Sequence, residues 1–88
     1  MKLFWTEQAW EDYLHWRRND PDTLKKINAP IADIQRNPFR GLGKPEALKF
    51  GLSGWWSRRI TQEHRLVYRV SGKPGSQVLE IAQCRYHY

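Results

Sequence analysis

The chain has a single cysteine, Cys84, and no long apolar run, and both scarcities limit what it can be. One cysteine cannot close an internal disulfide, which fits a reducing compartment better than an oxidising one. No stretch approaches the ~20 apolar residues that a membrane helix needs, and the first residues lack the continuous apolar segment of a signal peptide. We therefore expect a cytoplasmic protein without a membrane partner.

Several common catalytic motifs are also missing from the 88 residues. The chain has no zinc-ligand spacing, no Ser, His and Asp order and no glycine-rich phosphate loop, so we expect neither a metal nor another cofactor. Five Trp, four Tyr and three Phe are present. Because aromatic side chains bury large areas, this content indicates one folded domain over residues 1–88.

Acidic residues are scarce in the second part of the chain. Residues 1–35 hold five Lys or Arg against six Asp or Glu, whereas residues 36–88 hold ten against three. The net charge of +6 therefore arises entirely from residues 36–88. Such segregation is typical of a face that meets a polyanion, and the alternative is a solubilising surface without a ligand.

Residues 1–19 predict a strand and a helix. Lys2–Trp5 alternates polar and apolar residues, as a short strand does. A helix over residues 7–19 follows, with Thr6 as its N-cap and Glu7 in a first turn that favours an acid. The residues that share one face at helical spacing are Trp10, Tyr13, Leu14 and Arg17.

A second helix is predicted to begin at Asp20 and Pro21. An aspartate caps an N-terminus, and proline lacks the N–H group that the first turn leaves unbonded. This helix carries an apolar stripe formed by Leu24, Ile27, Ile31 and Ile34. Pro30 removes one backbone hydrogen bond and predicts a bend, but the stripe keeps its phase on both sides. We therefore expect one bent helix that ends at residues 36–38.

The remainder of the chain predicts a loop and a sheet. Residues 39–45, F-R-G-L-G-K-P, form a loop that is long for so small a domain. Strands follow over residues 47–50, 55–61, 65–70 and 78–86, and the alternation in W-S-R-R-I and R-L-V-Y-R-V separates cations from apolar groups. The predicted class is α+β: two N-terminal helices pack on one face of a mainly antiparallel sheet of four or five strands, and the other face stays open.

The open face would collect the residues most capable of chemistry. They are Glu46, Lys49, Arg59, Arg65, Arg69 and Arg85, with His87 and Tyr88 last in the chain. Cleaving RNA without a metal requires a base for the 2′-hydroxyl proton, cations for the phosphorane and an acid for the leaving oxygen. The 2′-hydroxyl is itself the nucleophile, so RNA suits this set better than DNA.

Each candidate also has a simpler interpretation. Glu46 could be a surface carboxylate, Arg65 and Arg69 could be solvated cations, and His87 could be a loose terminal residue. His15 and His64 are interpreted as decorating a helix face and a turn.

Five sequence blocks resemble the YoeB/Txe toxins of the RelE superfamily. They are W-E-D-Y-L-x-W (10–16), G-x-G-K-P-E-x-L (41–48), L-S-G-W-W-S-R-R-I (52–60), E-H-R-L-V-Y (63–68) and R-Y-H-Y (85–88). The blocks span nearly the whole chain. The resemblance implies a compact fold of two helices on an antiparallel sheet, and a toxin that cuts mRNA in the ribosomal A site.

The resemblance also implies residue roles. Four residues receive catalytic roles: Glu46 as general base, Arg65 as transition-state stabiliser, His87 as general acid and Tyr88 as the residue that orients substrate. Lys49 and Arg59 are the implied substrate contacts, and we predict that Lys44 and Arg69 bind substrate with them.

The implied partners are a YefM-like antitoxin, the ribosome with mRNA in its A site, and a second copy in a homodimer. Two features depart from the family pattern, Pro30 in the second helix and the S-G-K-P-G-S segment at residues 71–76, and neither is expected to touch the predicted site. Three other functions stay open. They are a DNA-binding regulator, although the cations lie on strands rather than on a helix-turn-helix, an inactive member that binds nucleic acid as a co-repressor with its antitoxin, and a ribonuclease that needs no ribosome.

Overall fold

The fold places two helices against a five-stranded sheet, and the computed structural model describes residues 1–87. In chain order the elements are β1 (Lys2–Trp5), α1 (Glu7–Asn19), α2 (Pro21–Arg36), β2 (Glu46–Ala47), a short 3-10 helix (Phe50–Leu52), β3 (Trp56–Arg59), β4 (Arg65–Ser71) and β5 (Val78–Gln83). The sheet order is β1-β5-β4-β3-β2, with β1 parallel to β5 and the other neighbouring pairs antiparallel. The predicted α+β class is confirmed.

Both helices begin at the side-chain caps that the sequence predicts. Thr6 Oγ1 accepts the Ala9 N–H at 3.1 Å, and Asp20 Oδ1 accepts the Thr23 N–H at 3.2 Å. Hydrogen bonds from the Thr23 side chain and backbone hold the pKa of Asp20 below its usual range, so a negative charge stays where the α2 dipole favours one. As predicted, α2 continues through Pro30 as a single helix. Within residues 1–87, no helix is both long and apolar enough to cross a membrane.

The core lies between the helices and one face of the sheet. Its fully buried members include Ile27 and Ile34 from α2 and Leu66, Leu79 and Ile81 from the sheet. The predicted α2 stripe is therefore confirmed. The helices cover only one face of the sheet, so a ligand could approach the sheet only from the opposite face.

The helix α1 buries a different face from the one predicted. Its buried residues are Ala9, Asp12 and Trp16, whereas Trp10 is 46% exposed. The Trp10 ring stacks on Tyr13, with centroids 5.8 Å apart, and meets Trp5 edge-on at 5.7 Å. The aromatic residues therefore pack against one another beside β1. The opposite face of α1, which carries its hydrogen-bonding residues, points towards the end of β5.

Two predicted strands are much shorter in the structure. β2 has two residues, because the chain enters the 3-10 helix at Phe50 with a φ of +59°. β5 ends at Gln83 rather than at residue 86, because the chain bends from Cys84 and Tyr86 has a φ of +67°. Alternation along residues 84–87 is therefore not a guide to which side chains share a face.

Arg58 is fully buried on the helix side of the sheet, so the expectation that alternation sorts the cations onto the open face is wrong for this residue. All five of its N–H donors have acceptors. Nε donates to Tyr68 Oη at 3.2 Å, Nη1 to Asp33 Oδ2 at 2.6 Å and Leu42 O at 3.2 Å, and Nη2 to Asn37 O at 2.5 Å and Arg40 O at 3.0 Å. A guanidinium has no other donors, so this side chain fastens the end of α2 and the following loop to the sheet.

Two glycines let that loop approach its neighbours. Gly41 has a φ of +116°, and a Cβ atom there would collide with the Asp33 carboxylate. Gly43 has a φ of +78°, and its Cβ would lie 2.8 Å from Arg59 O. A side chain at either position would push the loop away from the Arg58 partners, which explains the G-x-G spacing before Lys44.

Substitution of Arg58 tests this network. Leucine would leave the acceptors around the guanidinium without donors, so we expect Arg58→Leu to lower the free energy of unfolding by about 3–5 kcal/mol, measured by urea denaturation. Arg18→Leu, at an exposed position of α1, is the matched control and should change stability by no more than about 0.5 kcal/mol. Equal stability of the parent and Arg58→Leu would show that the network does not hold the loop.

Acid should weaken the same network. Hydrogen bonds from the Arg58 side chain and the Leu42 N–H hold the pKa of Asp33 below its usual range. A carboxyl group whose pKa falls on folding stabilises the fold above its unfolded pKa, and this stabilisation is lost as pH drops through the lower, folded pKa. We therefore expect the urea midpoint of the parent to decrease as the pH is lowered below about 4. The midpoint of Asp33→Asn should decrease less steeply over the same pH range. The exposed Asp22→Asn serves as control, and equal slopes in all three proteins would contradict the linkage.

Candidate functional site

One row of four residues crosses the open face of the sheet. The strand register pairs Glu46 with Ser57, Ser57 with Val67, and Val67 with Gln83, and residues paired across antiparallel strands point to the same face. Ser57 and Val67 are only 3% exposed although they face away from the helices. We call these four residues the central row, which has the exposed Glu46 at one end.

Arg59 and Arg65 lie directly opposite each other beside the central row. We call them the arginine pair. Directly opposed residues have Cβ atoms about 4.5–5.5 Å apart, and like charges at that separation destabilise a sheet. Within residues 1–87, the ion pairs are Arg58–Asp33 and Arg69–Glu80, so no carboxylate of this part of the chain neutralises the arginine pair. Two unneutralised guanidinium groups on one face have the chemistry to bind an anion.

Backbone carbonyls hold one end of the Arg65 guanidinium. Nη1 donates to the carbonyl oxygens of Thr61 at 2.8 Å, Gln62 at 3.2 Å and His64 at 3.0 Å. These acceptors belong to the turn between β3 and β4, so the turn fixes the side chain. In the described part of the chain, Nε and Nη2 make no hydrogen bond, and they remain free to form a fork on a phosphate or carboxylate.

Glu46 is positioned on the edge strand by two backbone contacts. Arg59 N donates to Gly43 O at 2.7 Å, and Leu48 N donates to Trp55 O at 2.9 Å. Because Glu46 pairs with Ser57, it lies diagonal to Arg59, at the spacing that long side chains bridge. The structure therefore brings three predicted residues together, namely Glu46, Arg59 and Arg65.

The other predicted substrate cations differ in their surroundings. Lys44 is exposed and follows Gly43, which bonds the Arg59 backbone, so it lies beside the arginine pair. Lys49 is exposed at the start of the 3-10 helix, outside β2. Arg69 bonds Glu80 at 2.7 Å, and its guanidinium lies 4.3 Å from the centre of the Trp55 ring. Its charge is thus already compensated, unlike that of the arginine pair.

His87 lies near the opposite end of the central row from Glu46. It lines a surface pocket with Gln83 and Arg85 of its own segment and with Gln8 and Asp12 of α1. Arg59 and Arg65 line a separate pocket with residues 60–62. Tyr88, the fourth predicted catalytic residue, lies outside the described residues.

Helix α1 fastens the segment that leads to His87. Asp12 Oδ2 accepts the Cys84 N–H at 3.1 Å, Trp16 Nε1 donates to Cys84 O at 2.8 Å, and Cys84 Sγ lies 3.6 Å from Ala9 O. Burial and the nearby Asp12 charge raise the pKa of the Cys84 thiol to about 12. The thiol therefore stays protonated and serves packing rather than nucleophilic chemistry.

The sequence contains signs of two supporting residues that are not among the predicted site residues. Strict alternation already places Arg58 with Trp56 and Ile60 on the apolar side of β3. Helical spacing likewise places Asp12 between Ala9 and Trp16 on one face of α1. In both cases a charged residue stands in an apolar pattern, which indicates a buried group with a partner elsewhere.

Comparison with known proteins gives the family. Residues 5–88 match the family described as the YoeB-like toxin of bacterial type II toxin–antitoxin systems. Toxin YoeB of Escherichia coli K12 is 58% identical over 88 residues, which cover 100% of both chains. This chain therefore belongs to the YoeB-like toxin family, and the resemblance to the YoeB toxins is confirmed.

Solved structures agree with this assignment. The YoeB/ParE toxin from Agrobacterium tumefaciens superimposes with a TM-score of 0.98 at 57% identity, with 100% of both chains covered. A YoeB dimer and a heterotetrameric YoeB–YefM complex, both from Staphylococcus aureus, superimpose with TM-scores of 0.89 and 0.88 at 45% identity, covering 100% of this chain and 98% of theirs.

A stability measurement tests the arginine pair as an anion site. Arg59→Gln removes the cross-strand repulsion, so the free energy of unfolding should rise by about 0.2–1 kcal/mol. Millimolar sulfate should raise the thermal midpoint of the parent more than that of Arg59→Gln, with sodium chloride of equal ionic strength as reference. The exposed Lys25→Gln in α2 should respond to sulfate like the parent. Equal sulfate responses in the parent and Arg59→Gln would contradict anion binding by the pair.

Proposed function

We propose that this toxin is a ribosome-dependent, metal-independent endoribonuclease that cuts mRNA in the ribosomal A site and thereby inhibits translation. The observation that carries the proposal is the arginine pair, which has no carboxylate partner in residues 1–87 and lies beside the exposed Glu46. A carboxylate next to two phosphate-binding cations supplies a base and charge stabilisation for attack by a 2′-hydroxyl. Membership of the toxin family supports a cytoplasmic target of this kind.

The proposed reaction needs no atom from outside the substrate and the site. Glu46 takes the proton of the 2′-hydroxyl, and the 2′-oxygen forms a bond to the adjacent phosphorus. The bond from phosphorus to the 5′-oxygen breaks, and that oxygen receives a proton. The products are a 2′,3′-cyclic phosphate and a free 5′-hydroxyl. Arg65, with Arg59 opposite, binds the equatorial oxygens as negative charge accumulates on them.

His87 is the proposed donor of that second proton, and Tyr88 is proposed to orient the substrate. Two observations support His87. It lies in a pocket that contains Gln83, at the other end of the central row from Glu46. In addition, Arg65 N donates to Tyr86 O at 3.0 Å, so His87 follows immediately after a residue bonded to Arg65. A base and an acid on opposite sides of the phosphate suit an in-line displacement.

The proposed partners follow from the related structures. The S. aureus toxin has been solved as a dimer and with YefM, and we propose that this chain likewise binds a YefM-like antitoxin and forms a homodimer. The ribosome is proposed as the second partner because residues 36–88, which supply most of the open face, hold ten Lys or Arg against three Asp or Glu. Lys44 and Lys49, both exposed, are proposed to contact phosphates there.

The role of Glu46 can be measured directly. Glu46→Gln keeps the shape of the side chain and removes the base, so single-turnover cleavage of mRNA on stalled ribosomes should slow by about 10²–10⁴-fold. Ribosome affinity should hold or increase, because one negative charge leaves a phosphate site. Glu11→Gln, which removes an exposed carboxylate from α1, is the matched control and should cleave at the parent rate.

Three results would contradict the proposal in different ways. If Glu46→Gln cleaves at a rate within tenfold of the parent, Glu46 is not the base. Equal cleavage of naked and ribosome-bound mRNA would indicate a general ribonuclease. A parent protein that cuts neither substrate but represses transcription with its antitoxin would indicate an inactive co-repressor.

A further inference from the structure

His64 forms hydrogen bonds with both parts of the proposed site. Its main-chain oxygen accepts the Arg65 Nη1–H at 3.0 Å. Its side-chain Nδ1 accepts the Tyr86 N–H at 2.7 Å. One residue of the β3–β4 turn thus contacts the arginine that binds phosphate and the residue that precedes His87. The expectation that His64 is only a surface residue of a turn is therefore incomplete.

Tyr86 is the residue that most needs such support. Its φ of +67° lies in the left-handed region, which a bulky side chain rarely adopts. A residue persists there only when its surroundings fix it. Both backbone groups of Tyr86 are bonded, the carbonyl to Arg65 N at 3.0 Å and the N–H to His64 Nδ1. The direction in which the chain leaves towards His87 therefore depends on these two bonds.

The His64 ring is itself fixed. It meets the buried Trp16 ring edge-on, with centroids 4.7 Å apart, and lies 5.9 Å from the Tyr86 ring. Trp16 also donates a hydrogen bond from Nε1 to Cys84 O. The same tryptophan therefore contacts both Cys84, where the segment after β5 begins, and the His64 ring that bonds Tyr86. To accept the Tyr86 N–H, Nδ1 must present a lone pair to it.

We propose that His64 is a positioning residue for cleavage, whose Nδ1 fixes Tyr86 and thereby the placement of His87. This inference rests on the proposed function, in which His87 protonates the leaving oxygen. A general acid must lie within hydrogen-bond reach of the atom it protonates, and a displacement of about 1 Å can cost about 10²-fold in rate. His64 therefore affects the chemical step and not the binding of the ribosome.

Two substitutions separate the hydrogen bond from the ring packing. His64→Phe keeps a ring against Trp16 and loses the acceptor, whereas His64→Asn loses the ring and keeps an acceptor oxygen close to the position of Nδ1. We expect single-turnover cleavage on stalled ribosomes to fall by about 10²-fold in His64→Phe, with ribosome affinity unchanged. His64→Asn should cleave within about threefold of the parent. Urea midpoints of both variants serve as the folding control.

The reverse order, with His64→Phe active and His64→Asn slow, would overturn the proposal, because it would show that only ring packing matters. If His64→Phe does not fold, His64→Asn decides alone. A rate near that of the parent supports the acceptor, and a loss of tenfold or more in a folded His64→Asn protein contradicts it.

A second comparison separates this proposal from the function on which it rests. In a His87→Ala background, His64→Phe should cost no further rate, because His64 acts through His87. Additive losses would overturn the positioning role. If His87→Ala alone cleaves at the parent rate, the proposed acid is wrong. If His87→Ala is slow and His64→Phe is not, the positioning role alone is wrong.

Discussion

The structure depends most on the buried guanidinium of Arg58. A charged group enters the interior only when its donors are satisfied, and four of the five donors of Arg58 reach residues 33–42. The loop after α2 can therefore follow only a path that brings its carbonyl oxygens to this side chain. That path continues through Gly43, which bonds Arg59 N, and delivers Glu46 to the edge of the sheet. Glu46, the proposed base, is thus positioned by an arginine on the opposite face.

The two neighbouring arginines of β3 have opposite surroundings. Arg58 faces the helices, has no exposure and pairs with Asp33 at 2.6 Å. Arg59 faces outward against Arg65, without a carboxylate in the described part of the chain. Arg69, on the same face as the arginine pair, is neutralised by Glu80. The candidate anion site is consequently marked by where charge is left uncompensated, and the net charge of the protein alone would not have located it.

Much of the fold follows from local sequence patterns. Thr6 and Asp20 cap helices because their side chains bond a backbone N–H three residues on, and period-two alternation places Glu46, Arg59 and Arg65 on one face. Both kinds of pattern are local, so a single sequence contains them. The family resemblance then implies the roles that are proposed for these residues.

What the sequence could not provide are contacts between distant segments. Arg58 binds carbonyl oxygens 16 to 21 residues away in the chain, and backbone acceptors leave no trace in residue type. Asp12 and Trp16 bind Cys84, which ends β5 earlier than alternation predicts. The bond from His64 to Tyr86 spans 22 residues. In each case a side chain forms a hydrogen bond with the main chain of another element. Neither periodicity nor composition could therefore indicate which two residues are in contact.

The central claim is that the 2′-hydroxyl of mRNA is the nucleophile at the site formed by Glu46 and the arginine pair. The most direct measurement uses an mRNA on stalled ribosomes with one 2′-deoxynucleotide on the 5′ side of the cleaved bond. The account predicts that cleavage at that bond disappears while the ribosome binds the toxin as before. The unmodified mRNA should yield a 2′,3′-cyclic phosphate. Cleavage of the deoxy-substituted mRNA at the parent rate would contradict the account.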